Sequence, residues 1–147
     1  MKPTLLLPLV FTCPTLAQSL FSSITTLANL PQDLRGTYRK LARACDTRTE
    51  LGAAAVTIQY GADESSPAAV YGLDECFPFT KDNKKARLVL FCRNLDCTFG
   101  IAEDLDCQSG FLDTVLHYRL NGGQALPNPA GVVGVALNAV KCGTRQF

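Results

Sequence analysis

Tryptophan is absent from the 147 residues, and histidine and methionine occur once each. A single imidazole, His117, leaves zinc at most one histidine to join thiolates. An excess of one charge is missing too. Fourteen basic residues face thirteen acidic ones, and no Lys/Arg run is longer than a pair such as Lys84–Lys85. That balance lacks the basic footprint of a nucleic-acid binder. Cys-x-x-Cys, Gly-x-Ser-x-Gly, His-Glu-x-x-His and a phosphate-cradling glycine loop are all missing, which removes the familiar dithiol, hydrolase and zinc-protease signatures. There is no Asn-x-Ser/Thr sequon. No apolar run approaches the roughly 20 residues that cross a bilayer, so stable membrane insertion is not expected.

What is present begins with "MKPTLLLPLVFTCPTLA" (1–17): an early lysine, an apolar stretch from Leu5 to Phe11, and small residues at Thr15 and Ala17. This is the three-part pattern of a secretory signal cleaved after Ala17, with a buried N-terminal strand or helix as the alternative. Cleavage removes Cys13 and leaves Cys45, Cys76, Cys92, Cys97, Cys107 and Cys142. An even set in an exported chain is read as a disulfide framework. Acylation of Cys13 would leave the same six, but Phe11 and Thr12 are bulky for such a signal. Loss of Lys2 makes the basic and acidic residues equal in number.

The pattern of the chain changes near residue 50. From 18 to 50 it is helical: Leu20, Ile24 and Leu27 mark one apolar stripe, and Leu34, Tyr38, Leu41 and Cys45 mark another. Pro31 separates them, and Asp33 is the expected N-cap of the second helix. Arg35, Arg39, Lys40 and Arg43 occupy its remaining surface. They read either as a basic face for an acidic partner or lipid, or as a solvated face beside Asp33, Asp46 and Glu50. From 51 to 147 the signals are those of strands and turns. Strands are expected at 53–60, 68–73, 75–79, 86–92 and 132–142, with 111–120 strand or short helix and "NGGQALPNPAG" a loop. No repeat is visible.

"CRNLDCTFGIAEDLDC" (92–107) concentrates three cysteines and five acidic or amide side chains. Four residues separate Cys92 from Cys97, but nine separate Cys97 from Cys107 and the sole histidine is His117, so no second zinc-ligand pair accompanies them. A helix–loop–helix calcium loop started at Asp104 would need glycine and glutamate where Ser109 and Val115 stand. Another arrangement of oxygen ligands around Asp96, Glu103, Asp104 and Asp106 stays open. As a disulfide hairpin, "ARLVLFC" and "CTFG" would be consecutive strands joined by "RNLD". Six cysteines permit many pairings. The working set is Cys97–Cys107, Cys76–Cys142 and Cys45–Cys92.

A catalytic site would have to centre on His117, with Ser109, Asp113 or Asp106 as companions, or, in a ribonuclease-like set, with Arg119, Glu103 and Tyr118. In a strand, His117 and Arg119 share a face and Tyr118 points away. Neither set forms a known signature.

"DEC" (74–76), "ARLVLF", "CTFGIAEDLDCQSG" (97–110) and the closing "VALNAVKC" together resemble small secreted cysteine-rich fungal proteins of the βγ-crystallin-like kind, over residues 74–143. Cys97-Thr98-Phe99, Asp106-Cys107 and Gly110 match best. Gly100 stands where a tyrosine is usual, the flanking serine pair is missing, and the helical N-terminal third is extra. The resemblance implies a Greek-key β-sandwich and a non-enzymatic role as effector, toxin or wall-associated protein. The expectation is therefore an α+β, mainly β, disulfide-stapled domain with an N-terminal helical segment. It is secreted and monomeric, needs no cofactor or metal, and binds a host or competitor protein or a cell-wall component. The alternatives are a small hydrolase centred on His117 and a membrane-active toxin using "SLFSSITTLANL" (19–30).

Overall fold

The computed structural model describes residues 22–49, 52–133 and 137–144, with backbone alone at 48–49, 113–115 and 132–133. The expected leader with Cys13, and Leu20 of the first stripe, lie outside the described residues. From Ile24 onward that first stripe is not a continuous helix. Thr25 makes an antiparallel bridge to Ala125, exchanging backbone bonds of 2.9 and 2.8 Å, and Leu27–Asn29 forms one 3-10 turn. The apolar residues are nevertheless used: Ile24 packs on the main core, Leu27 on a second cluster, and Leu30 is buried.

Helix α1 spans Gln32–Ala44. Pro31 occupies the N-cap position without a side-chain bond, and the expected cap, Asp33, lies inside the first turn. There its carboxylate complements the helix dipole and sits 3.7 Å from the Arg87 guanidinium. Leu34, Tyr38, Leu41 and Cys45 form the buried stripe, packed on Leu88, Leu90 and Ala125.

Eleven strands follow among the described residues: β1 (Arg48–Thr49), β2 (Gly52–Ala53), β3 (Val56–Tyr60), β4 (Ala69–Tyr71), β5 (Cys76–Pro78), β6 (Thr80–Lys81), β7 (Lys84–Phe91), β8 (Leu95–Ile101), β9 (Leu112–Leu120), β10 (Ala125–Pro127) and β11 (Ala139–Thr144). A one-turn helix, α2 (Pro129–Val133), precedes β11. The segment expected as a loop thus contains β10 and the start of α2. Of the strand expected at 132–142, residues 132–133 belong to α2, 134–136 lie outside the described residues, and β11 runs from Ala139 to Thr144. Residues 111–120 resolve as strand.

All pairing is antiparallel, and the strands form two main sheets. The first has the order β10-β7-β3-β4, with β6 added to β7, and the second has the order β5-β11-β8-β9. The connections repeat. In the run β3, β4, β5, β7 the first strand pairs with the second and with the fourth, while the third crosses to the other sheet. The run β8, β9, β10, β11 does the same in reverse. The topology is therefore duplicated although the sequence is not. One consequence is that β7 and β8 lie in different sheets, so "ARLVLFC" and "CTFG" are not a hairpin. Residues 92–94 cross between the sheets.

The inward faces share one core, including Val56, Ile58, Phe77, Phe79, Phe91, Phe99, Leu95 and Val140. Phe79–Phe99 and Phe99–Tyr118 meet at 6.3 and 5.8 Å between centroids. Tyr60 of the first sheet donates its hydroxyl to the Pro78 carbonyl of the second at 2.6 Å. Burial, reinforced by the Tyr71 hydroxyl, pushes its pKa well above the ordinary phenol value, so the donor proton stays in place.

Candidate functional site

The disulfides set the frame. Cys45–Cys92 ties the end of α1 to the end of β7, and this pair is in the expected set. The other two pairings are exchanged relative to expectation: Cys97 joins Cys142, and Cys76 joins Cys107. Register explains the exchange. Cys97 and Cys142 face each other directly on β8 and β11, both side chains pointing into the core. Cys107 lies in the loop beyond the end of β8, beside the edge strand β5 that carries Cys76.

That loop, residues 102–110, is organised by Asp104. Its carboxylate accepts the backbone N–H groups of Gln108 at 2.8 Å and Asp106 at 3.1 Å, and the Ser109 hydroxyl at 3.1 Å. The Gln108 N–H is the main cause that holds its pKa below the usual carboxylate value. The Asp104 carboxylate thus serves loop closure, and no group of three or more His, Cys, Asp or Glu among the described residues is arranged to hold a metal. Glu103, Asp106 and Ser109 all belong to this loop. Thr98 is three residues before Ile101, roughly 10 Å back along β8 at 3.3 Å per residue.

His117 lies beside Thr98 instead. On the outer face of the second sheet, Asp96 and Thr98 of β8 oppose Arg119 and His117 of β9. Thr98 Oγ1 and His117 Nδ1 are 3.1 Å apart, and Arg119 Nε lies 3.7 Å from Asp96 Oδ1. Lys141 of β11 extends the Thr98–His117 row on the other side. Asp96, Thr98, His117 and Arg119, with Cys97 and Tyr118, line a shallow cleft of about 340 Å³. Tyr118 turns inward onto Phe99, and burial raises its pKa. Of the two expected catalytic sets, only His117 and Arg119 come together on this face. The side chain of Asp113 lies outside the described residues. Asp96, expected as an oxygen ligand, pairs here with Arg119, and Thr98 with His117; these partnerships depend on cross-strand register, which the sequence does not display.

The basic face of α1 divides in two. Arg35 donates to the Leu30 and Ala28 carbonyls. Lys40 donates to Gln59 Oε1 at 2.6 Å, to the Glu64 carbonyl at 2.7 Å, and to the Ser66 carbonyl. Thr37, buried, donates to Glu64 at 2.7 Å. Two of the four cations therefore pin neighbouring backbone, and Arg39 and Arg43 are exposed. No helix among the described residues is long and apolar enough to cross a membrane. Comparison with family models, curated proteins and solved structures finds no match.

Proposed function

We propose that this chain is a secreted, monomeric, disulfide-stabilised binding protein of the fungal effector or toxin-like kind, directed at a host or competitor protein or a cell-wall component. We read its fold as a Greek-key β-sandwich of βγ-crystallin-like type. In support, the fourth strand of each run returns beside the first while the third crosses over. The three disulfides favour an oxidising compartment and so support export.

The observation that carries the binding role is the pairing on the outer face of the second sheet. His117 is bonded to a neutral threonine hydroxyl, and Asp96 is engaged with Arg119. A general base needs an orienting partner and a reacting atom within reach. Here Asp96, the carboxylate of the row, pairs with Arg119 rather than with His117. The test is incubation of the oxidised protein and its His117→Ala variant with total RNA. Neither should degrade it, and cleavage by the parent that disappears in the variant would refute the binding role.

The Thr98–His117 contact beside Arg119 is also the feature that favours the hydrolase alternative, with His117 as base and Arg119 as anion binder. The same assay decides it. The membrane-active alternative draws on residues 19–30, whose Ile24, Leu27 and Leu30 are committed to packing here. A liposome leakage assay should show no release.

A further inference from the structure

Three large apolar side chains stand out of the surface among the described residues: Ile101, Leu105 and Leu112, at 39, 51 and 58% exposure. They are not scattered. Ile101 and Leu112 are directly opposed on β8 and β9, and Leu105 belongs to the loop those two residues enclose. Isolated exposed leucines are ordinary, whereas an apolar group gathered at one end of a hairpin marks a contact surface.

The loop is also prearranged. The Asp104 carboxylate closes it from inside, the Glu103 N–H donates to the Ser109 carbonyl at 3.2 Å, and Cys107 anchors it to β5. Gly110 adopts φ +66°, and a Cβ there would collide with the Glu103 side chain folded over it. Little chain entropy is left to lose when such a loop meets a partner.

Charge selects the partner. Residues 102–111 contain Glu103, Asp104 and Asp106 and no lysine or arginine. Asp106 and Gln108 continue into a cleft of about 490 Å³ that is also lined by Glu75 and Asp82, with Lys81 its one cation. An anionic bilayer would be repelled, and the same loop of a second copy would bring like charges together. We propose that the 101–112 loop is a docking knob for a protein segment that carries apolar side chains next to lysine or arginine. The apolar trio would supply the contact, and Glu103, Asp106 and the adjoining cleft would select the cations. This rests on the binding role proposed above and gives it a contact surface.

The probe is a synthetic amphipathic peptide of leucine and lysine, titrated into the isotope-labelled, oxidised protein and followed by amide chemical shifts. Shifts should concentrate at 101–112. Leu105→Ser and Leu112→Ser should each weaken binding about tenfold. Both residues are exposed, so the variants should keep the parent's melting temperature. A control peptide with glutamate for lysine, or with serine for leucine, should bind at least tenfold more weakly. Shifts centred on 96–98 and 117–119, equal affinity for the serine peptide, or unchanged affinity in both variants would overturn the proposal. So would capture by anionic phospholipid vesicles that the Leu105 variant abolishes. His117-dependent RNA cleavage would instead remove the binding role while leaving the peptide footprint at the loop intact.

Discussion

Replacing Lys40 by methionine keeps most of the aliphatic stem and removes the ammonium. In the structure that ammonium donates to Gln59 Oε1 and to the backbone carbonyls of Glu64 and Ser66. The three acceptors differ in what they lose. Glu64 is exposed and Ser66 half-buried, so water can replace the donor at both. Gln59 is fully buried, and its amide nitrogen is already committed to the Tyr60 and Asp63 carbonyls. Its oxygen would be left without a donor, which costs about 1–3 kcal/mol, and the charge-assisted bonds themselves contribute roughly 1.5–3 kcal/mol each before rehydration. Together these give an expected loss of about 2–4 kcal/mol on urea unfolding with disulfides intact. Arg39→Met, on the exposed side of the same helix, should stay within about 0.5 kcal/mol. Adding Gln59→Leu to the Lys40 variant should recover part of the loss, because a missing pair is cheaper than a stranded partner. Limited proteolysis should also nick residues 61–67 faster in the single variant. A Lys40→Met protein as stable as Arg39→Met would mean that Lys40 is merely solvated, and the argument would fail.

Gly100→Ala should destabilise by about 1–3 kcal/mol on thermal unfolding, because the added Cβ meets the Leu112 carbonyl and comes within 2.8 Å of the Phe111 ring at the β8–β9 register shift. Gly36→Ala, in open space on α1, should stabilise by up to about 1 kcal/mol, and equal effects at the two sites would contradict the packing. Chain entropy assigns Cys76–Cys107 and Cys97–Cys142 about 4 kcal/mol each. Replacing the buried Cys97–Cys142 pair by alanines should cost roughly 1–3 kcal/mol more than replacing the half-exposed Cys76–Cys107 pair, and denaturant midpoints that rank the other way would refute this. Asp104 titrates below its ordinary value when the loop is closed, so its contribution is complete above the ordinary carboxylate pKa and disappears as the pH falls through the lowered one. The protection of the Gln108 and Asp106 amides, taken relative to their intrinsic exchange rates, should therefore hold near pH 5 and fall only in stronger acid, and Asp104→Asn should remove that pH dependence.

Period and turn chemistry were legible in the sequence wherever one local force dominated. The stripe Leu34–Tyr38–Leu41–Cys45 sits on the sheet as its spacing requires, and "KDNKK" turns through Asp82 and Asn83, both at positive φ, which suits a tight two-residue hairpin. Segments with conflicting local signals were misjudged. "NGGQALPNPAG" is rich in loop residues, yet Ala125 and Leu126 are fully buried and pair with β7, so core packing overrides the glycines and prolines around them. The cysteine pairing was illegible for a different reason. Cys97 is ten residues from Cys107 and forty-five from Cys142, and only the β8–β11 register makes the distant one its direct neighbour. Nor could sequence reveal that Gly100, where a tyrosine was expected, lies against backbone that admits no side chain.

The duplicated topology makes the two sheets comparable position by position, and what covers them decides where function can reside. In β3 the alternate residues Thr57 and Gln59 point away from the shared core, yet both are fully buried. Thr57 donates to the Leu41 carbonyl, and Gln59 is bound by Lys40, so α1 roofs this face. In β8, the first strand of the second run, the outward positions hold Asp96 and Thr98, and no helix among the described residues packs on β8 as α1 packs on β3. The same strand role has therefore received buried polar residues with internal partners in one run and a solvent-facing polar row in the other. A helix packed on one face excludes a partner there, while the exposed His117 and Arg119 and the 101–112 loop can be approached, among the described residues, without displacing a helix. Binding to this protein should therefore perturb β8, β9 and their loop and leave the amides of α1 and β3 undisturbed. A footprint on α1 would place the working surface on the roofed side and break the inference from cover to function.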